Sequence, residues 1–202
     1  MTPPDPWRRR VGDVADLVLG TVLGSEPTLG PGRLVCVDGP AGAGKSTLGG
    51  AVVGAAAGEG LTTALVHVDD LLGGWSGLPT VGSRIADDLL GPLRRGQPGG
   101  YRAHDGPRDA PGPWVDVAPV DLLCLEGVGA WSTAYAALVG TLVWVELPEP
   151  LRHARARARD RDVSWWDGWA RDERTLHARE GTREASDVLV HGDEHELTVE
   201  LR

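Results

Sequence analysis

The chain has 202 residues, 41% of them hydrophobic, which is enough for one α/β domain with an inserted lid and too apolar for a disordered segment. A formal net charge of −9 argues against a nucleic-acid partner, which needs basic surface to neutralise phosphate. No run of about 18 apolar residues is present to span a membrane, Met1 to Arg10 lacks the apolar core of a signal peptide, and Cys36 and Cys124 sit inside apolar runs, as buried thiols in a reducing, cytoplasmic compartment would.

In chain order, Met1 to about Gly12 reads as a loose arm. Val14, Leu17, Val18, Thr21 and Val22 then recur at helical spacing, which predicts an amphipathic helix over Asp13 to Leu23. A Gly/Pro break from Pro27 to Gly32 sets this N-terminal piece (1–30) apart from the main domain (31–202). Five short apolar runs rich in Val and Leu follow: Leu34 to Val37, Ala64 to Val68, Asp121 to Leu125, Leu142 to Leu147 and Asp187 to Val190. Such runs are how parallel strands covered on both faces read, and the helical stretches between them give a doubly wound α/β domain. Glu196 to Leu201 alternates like an edge strand.

The first run leads into Gly39-Pro40-Ala41-Gly42-Ala43-Gly44-Lys45-Ser46-Thr47 and then into the Ala-rich stretch Ala51 to Ala57. This is the P-loop pattern GxxxxGK(S/T) in its strand–loop–helix setting. Its glycines let the backbone aim N–H groups at a β-phosphate, and the helix N-terminus adds its positive dipole end. Lys45 supplies a point charge for the β- and γ-phosphates of ATP, and Ser46 offers a hydroxyl to Mg²⁺. Of the twenty basic residues nineteen are Arg, so Lys45 is the chain's single lysine. No NKxD-type guanine motif is present, which speaks against a GTPase.

Two acidic positions fall at the carboxyl ends of strands, where open parallel sheets bind ligands. Asp69 and Asp70 end the second run, and Glu126 ends the third. Phosphoryl transfer needs one carboxylate to accept the hydroxyl proton and another beside the metal. Asp69 suits either task, Glu126 the second, and Asp70 could instead cap the following turn. About fifty residues separate these two strands (an insert spanning about 70–120), with a helical stretch near Val81 to Arg95 and an irregular Gly/Pro-rich stretch from Gln97 to Pro119. A segment of that length is usually functional or disordered. Trp75 and Trp114 lie in it, where an aromatic can stack on a flat substrate.

After the fourth strand, Arg152, Arg155 and Arg159 share one helix face. A cationic face here suits a lid (about 151–163) in which Arg155 and Arg159 neutralise transition-state charge. Trp165, Trp169 and Leu176 continue a helical stripe that reads as core, since with eight Trp and no Phe the indole is this chain's general large apolar side chain.

The loop from Val37 to Thr47, Val68-Asp69-Asp70-Leu71, Leu125-Glu126-Gly127 and Arg155 to Asp160, in that order and rough spacing, resemble the uridine kinase branch of P-loop kinases over about residues 33 to 190. The resemblance implies a P-loop NTPase fold with a five-stranded parallel sheet, helices on both faces and an arginine-bearing lid. It also implies ATP with Mg²⁺ and transfer to a nucleoside hydroxyl. It makes Asp69 the general base, Glu126 the metal-associated acid, and Tyr101, Arg102, His104 and Asp105 the acceptor-binding stretch. The chain departs from the pattern at Leu71 and Leu72, which replace an aromatic pair, and at Gly106, which follows Asp105 in place of an aromatic. A monophosphate or other small-metabolite acceptor stays open, with Arg84, Arg94, Arg95, Arg102 and Arg108 as its candidate cations, and so does an ATP-binding switch without catalysis.

Overall fold

The computed structural model describes residues 6–105, 110–160, 162–193 and 197–202, so Arg108, Gly106 and Glu196 of the expectations above lie outside the described residues. The N-terminal helix α1 spans Pro6–Gly24. It begins well before the expected Asp13, taking up part of what reads as a loose arm; Pro6 suits a helix start because its missing N–H is needless there. Val14, Ala15, Val18, Leu19 and Val22 are all buried, and the Gly/Pro break after the helix closes as a tight turn in which Leu29 bridges Gly32.

Strand β1 (Arg33–Asp38) leads through the phosphate loop into helix α2 (Lys45–Gly58), then β2 (Thr63–His67) and a 3₁₀ turn, Val68–Leu71. The insert holds short helices α3 (Val81–Arg84) and α4 (Gly91–Arg94), joined by a π-helical segment, Ile85–Leu90. The widened turn accommodates Pro92, whose ring cannot pack against the carbonyl one turn back and which offers no N–H. The stretch from Gln97 to Pro119, expected to be irregular, instead forms an antiparallel hairpin of β3 (Gly99–Asp105) and β4 (Ala110–Val117). Its Gly/Pro content masks the strands. Gly99 is there because a Cβ would collide with the Leu89 carbonyl. The chain continues with β5 (Leu122–Glu126), β6 (Thr141–Glu146), α5 (Glu149–Arg159), α6 (Trp166–Glu180), β7 (Val188–Gly192) and β8 (Leu197–Leu201).

The six-stranded sheet has the order β2-β5-β1-β6-β7-β8. Its first five strands are mutually parallel, as expected, and β8 pairs antiparallel with β7 at the edge. Alternation along β1 sends Leu34 and Cys36 into one apolar layer, with the insert and Trp169 and Leu176 of α6. Val35 and Val37 enter the other, with α1 and α2. Both faces are therefore covered, and both cysteines are fully buried, which pushes their thiols up out of the reactive range. Since β1 lies between β5 and β6, the sheet's crevice opens at the end of β1, where the phosphate loop begins. Among the described residues no helix is long and apolar enough to cross a membrane.

Candidate active site

A cavity of about 1110 Å³ lies over the phosphate loop, larger than the roughly 300–1,000 Å³ usual for one ligand. Residues Ala41 to Leu48 line its floor, and Asp69, His104, Glu126, Arg155 and Arg159 reach it from four other segments.

The loop owes its shape to backbone and buried charge. Gly42 has φ +79°, and a Cβ there would lie 2.7 Å from the Arg152 carbonyl oxygen, so only glycine lets the loop pass under α5. Lys45 is buried and its Nζ donates to the Pro40 carbonyl at 3.0 Å, folding the amine back over the loop. No side chain caps the N-terminus of α2, so its first N–H groups face the cavity floor.

Ser46 Oγ donates to Glu126 Oε2 at 3.0 Å, and His67 Nδ1 bonds the other oxygen of the same carboxylate. His67 and Glu126 are register partners on β2 and β5. The hydrogen bond to Glu126 raises the His67 pKa above its ordinary value, against the opposing effect of burial. Among the described residues no group of three or more His, Cys, Asp or Glu gathers as a metal cage. A Mg²⁺ bound mainly through phosphate oxygens and water needs only a hydroxyl and a carboxylate from the protein, and the Ser46–Glu126 pair fits that demand.

Asp69 lines the cavity. Asp70 is exposed, and its charge reaches Tyr101, whose hydroxyl pKa is raised first by burial and then by that carboxylate. Arg84 Nη1 donates to the Leu71 carbonyl at 2.6 Å, which ties down the turn carrying both aspartates.

The arginines of α5 divide. Arg152, on the expected cationic face, is buried: it donates to the carbonyls of Leu147 at 3.1 Å and Ala41 at 3.0 Å and faces Glu173 at 3.5 Å. It fastens α5 to the loop. Arg155 turns towards the phosphate site, its Nη1 3.7 Å from where a Cβ on Gly44 would stand, and partial burial lowers its pKa. Arg159 lines the cavity but holds Asp160 in a bidentate pair at 2.8 and 2.9 Å.

Of the expected acceptor-binding stretch, the cavity lining includes His104 alone. Tyr101 is buried in the apolar core, Arg102 is exposed and donates to the Gly112 carbonyl across the hairpin, and Asp105 is half-buried. Trp114 is an exposed residue of β4 whose indole donates to Asp116, so it gives the cavity no stacking surface; the Trp75 side chain lies outside the described residues. Instead Trp165 and Trp169, expected only as core, line the cavity.

Two buried carboxylates, Asp38 and Glu173, and the half-buried His177 carry no signal in the sequence motifs. Asp38 is completely buried; its Oδ1 accepts from Gly39 N–H at 2.7 Å and Gly129 N–H at 3.2 Å and meets His177 Nε2 at 3.0 Å, while its Oδ2 accepts from Trp131 N–H at 3.1 Å. Glu173 Oε2 accepts the Ala41 N–H at 2.8 Å. Glu173 and His177 are one turn apart on α6, and that spacing, followed by Glu180, was the available signal. Without the strand order, nothing in the sequence showed what the face met.

Strand order, loop and helix together define a P-loop α/β domain. No protein-family model and no curated protein sequence matches the chain. Solved structures do match it. A Bacillus stearothermophilus protein described as a "possible uridine kinase" aligns at 17% identity and TM-score 0.66, covering 88% of this chain and 97% of that one. A D-glycerate 3-kinase from Cryptococcus neoformans aligns at 14% and 0.57, covering 95% and 99%. A fructose transport system kinase candidate from Silicibacter sp. aligns at 20% and 0.53, covering 87% and 94%. At these identities the likeness is one of fold, and the fold is the one the sequence resemblance implied.

Proposed function

We propose that the protein transfers the γ-phosphate of ATP to a hydroxyl group of a small molecule, with a nucleoside as the acceptor its sequence resemblance favours. The carrying observation is that one cavity large enough for two substrates brings Lys45, Ser46, Asp69, Glu126 and Arg155 together over a phosphate loop. In this reading the loop from Gly39 to Thr47 cradles the β- and γ-phosphates, with Lys45 and the N–H groups at the α2 N-terminus as the donors. The Gly39 and Ala41 N–H groups stay with Asp38 and Glu173 and hold the loop's shape. Ser46 and Glu126 hold Mg²⁺, which when bound neutralises phosphate charge. Asp69 accepts the acceptor's proton as its oxygen attacks. Arg155, joined by Arg159 once it leaves Asp160, faces the charge that develops on the transferring group. The segment 151–163 then works as a lid hinged on Arg152.

An ADP-release assay over nucleosides, nucleoside monophosphates and small hydroxy acids tests this. Acceptor-dependent ADP release that falls about 10²–10³-fold in Lys45→Ala is the expected result. ATP binding with no acceptor-dependent ADP from any compound would replace the kinase with a nucleotide-binding switch.

A further inference from the structure

We infer that the N-terminal helix is part of the nucleotide site, with Val11 and Val14 of α1 and Leu197 of β8 forming the wall on which the nucleobase of ATP lies; this rests on the kinase reading above. The cavity extends past the phosphate loop in two directions, and the sheet order separates them. The loop leaves β1. Asp69 follows β2, two strands to one side, whereas Val145, Val190 and Leu197 belong to β6, β7 and β8 on the other. These three line the cavity together with Val11 and Val14. In an in-line transfer the attacking oxygen and the leaving β-phosphate stand on opposite sides of the γ-phosphorus. With Asp69 taking the proton on the β2 side, the rest of the nucleotide leaves the loop towards β6, β7 and β8. Its base then arrives at five aliphatic side chains.

The wall is in place before any ligand arrives. Val14 is buried in the apolar layer that also holds Val145 and Val190, and half-buried Val11 and Leu197 pack on that layer. The start of the loop is pressed against the same strand end: a Cβ on Gly39 would stand 2.1 Å from the Val145 carbonyl oxygen. Backbone packing therefore sets how far the wall lies from the phosphate donors. Valine is stiff at χ1, so a base that settles on such a wall gains apolar burial at little cost in side-chain freedom.

Charge at this end suits a base and not a further phosphate. The five wall side chains are aliphatic, and the Lys and Arg side chains among the described lining residues, Lys45, Arg155 and Arg159, stand on α2 and α5. A phosphate taken out of water needs a cation beside it, whereas a base needs cover for its flat faces and can keep its polar edge towards water. Helix α1 and strand β8 lie outside residues 33 to 190, over which the chain resembles uridine kinases. The wall thus draws on two segments that the resemblance leaves without a task.

Calorimetric titration of the full chain with MgADP and with magnesium pyrophosphate, which has two phosphates and no nucleoside, tests the inference. The parent should bind MgADP about tenfold more tightly than magnesium pyrophosphate, or better. Val11→Ala should weaken MgADP about three- to tenfold, the effect of two methyl groups lost from a partly buried contact, and leave pyrophosphate within about twofold. Val11→Ile keeps the apolar area and should hold MgADP within about threefold. Should Val11→Ala unfold, ultraviolet crosslinking of 2-azido-ADP to the parent keeps the test decisive: after cleavage at arginine, the adduct should fall in the peptide 11–33. Equal losses of both ligands in Val11→Ala, undiminished MgADP binding, no preference of the parent for MgADP, no binding of MgADP, or an adduct confined to other peptides would each overturn the inference. None of these readouts needs turnover. MgADP binding that depends on Val11, with no acceptor-dependent ADP release, would refute the kinase and keep the wall; turnover with an unmoved KM for ATP in Val11→Ala would keep the kinase and remove the wall.

Discussion

Both aspartates of the turn Val68–Leu71 are exposed, but they meet different neighbours: Asp69 lines the cavity, whereas the charge of Asp70 reaches Tyr101 in the hairpin. Asp69→Asn keeps size and hydrogen bonding but cannot take a proton, so kcat should fall about 10²–10⁴-fold with little change in ATP affinity. Asp70→Asn should stay within about tenfold, because its carboxylate has no place among the cavity-lining groups. Steady-state kinetics of both mutants checks the assignment, and the reverse order would move the base by one residue. Asp69 was legible because a carboxylate just past an apolar run marks a strand tip. His67 was not. It sits within β2 as one polar residue of an apolar run, and only the pairing of β2 with β5 reveals that it faces Glu126.

At the scale of elements, α6 does what the sequence assigned to nothing. Its Glu173 and His177 grip the loop at Ala41 and Asp38, and Glu180 accepts from Ser132 and the Thr133 N–H. Glu173 is buried with Arg152. Glu173→Ala leaves a buried guanidinium short of its counter-charge and orphans the Ala41 N–H, which costs on the order of 3–5 kcal/mol. Calorimetry should show a Tm lower by about 6–20 °C, with Glu173→Gln milder because an acceptor remains. A second joint ties β6 to β7 and to the turn after α6: Glu146 accepts from Arg183 at 2.9 and 3.1 Å and Trp144 at 2.6 Å, and meets His191 at 2.7 Å. The Arg183 guanidinium, outweighing burial, holds the Glu146 pKa down at about 2. A depressed acid stabilises the fold above its ordinary pKa and ceases to as the pH falls through the lowered one. Solvent screening limits the gain to about 1 kcal/mol. In urea titrations Glu146→Gln should therefore be less stable than the parent at pH 7, and the gap should close between about pH 4.5 and pH 2.

Across the whole molecule, the five parallel strands were legible because strands covered on both faces must be apolar at every position, a pattern few other structures share. The β3–β4 hairpin was not, because its register depends on cross-strand packing and Gly99 on a close approach to Leu89. The place of α1 was hidden for a related reason: periodicity shows that a helix has an apolar face, not what covers it. That face, Val14, Ala15, Val18, Leu19 and Val22, joins Val52 and Ala56 of α2 and Val35 and Val143 of the sheet in one buried layer. Helix α2 begins at Lys45, so the layer under α1 is also the support of the phosphate loop. Removing residues 1–24 would uncover it. At about 1.5–3 kcal/mol for each large aliphatic side chain, the loss of three valines and a leucine approaches the roughly 5–15 kcal/mol that keeps a domain folded, even after allowance for a compact unfolded chain. The truncated chain should therefore be insoluble, or soluble without a cooperative thermal transition, and saturating MgATP should not restore one. A soluble fragment 25–202 that melts cooperatively near the parent's Tm would show that α1 is an appendage, with the domain beginning at the turn near Leu29.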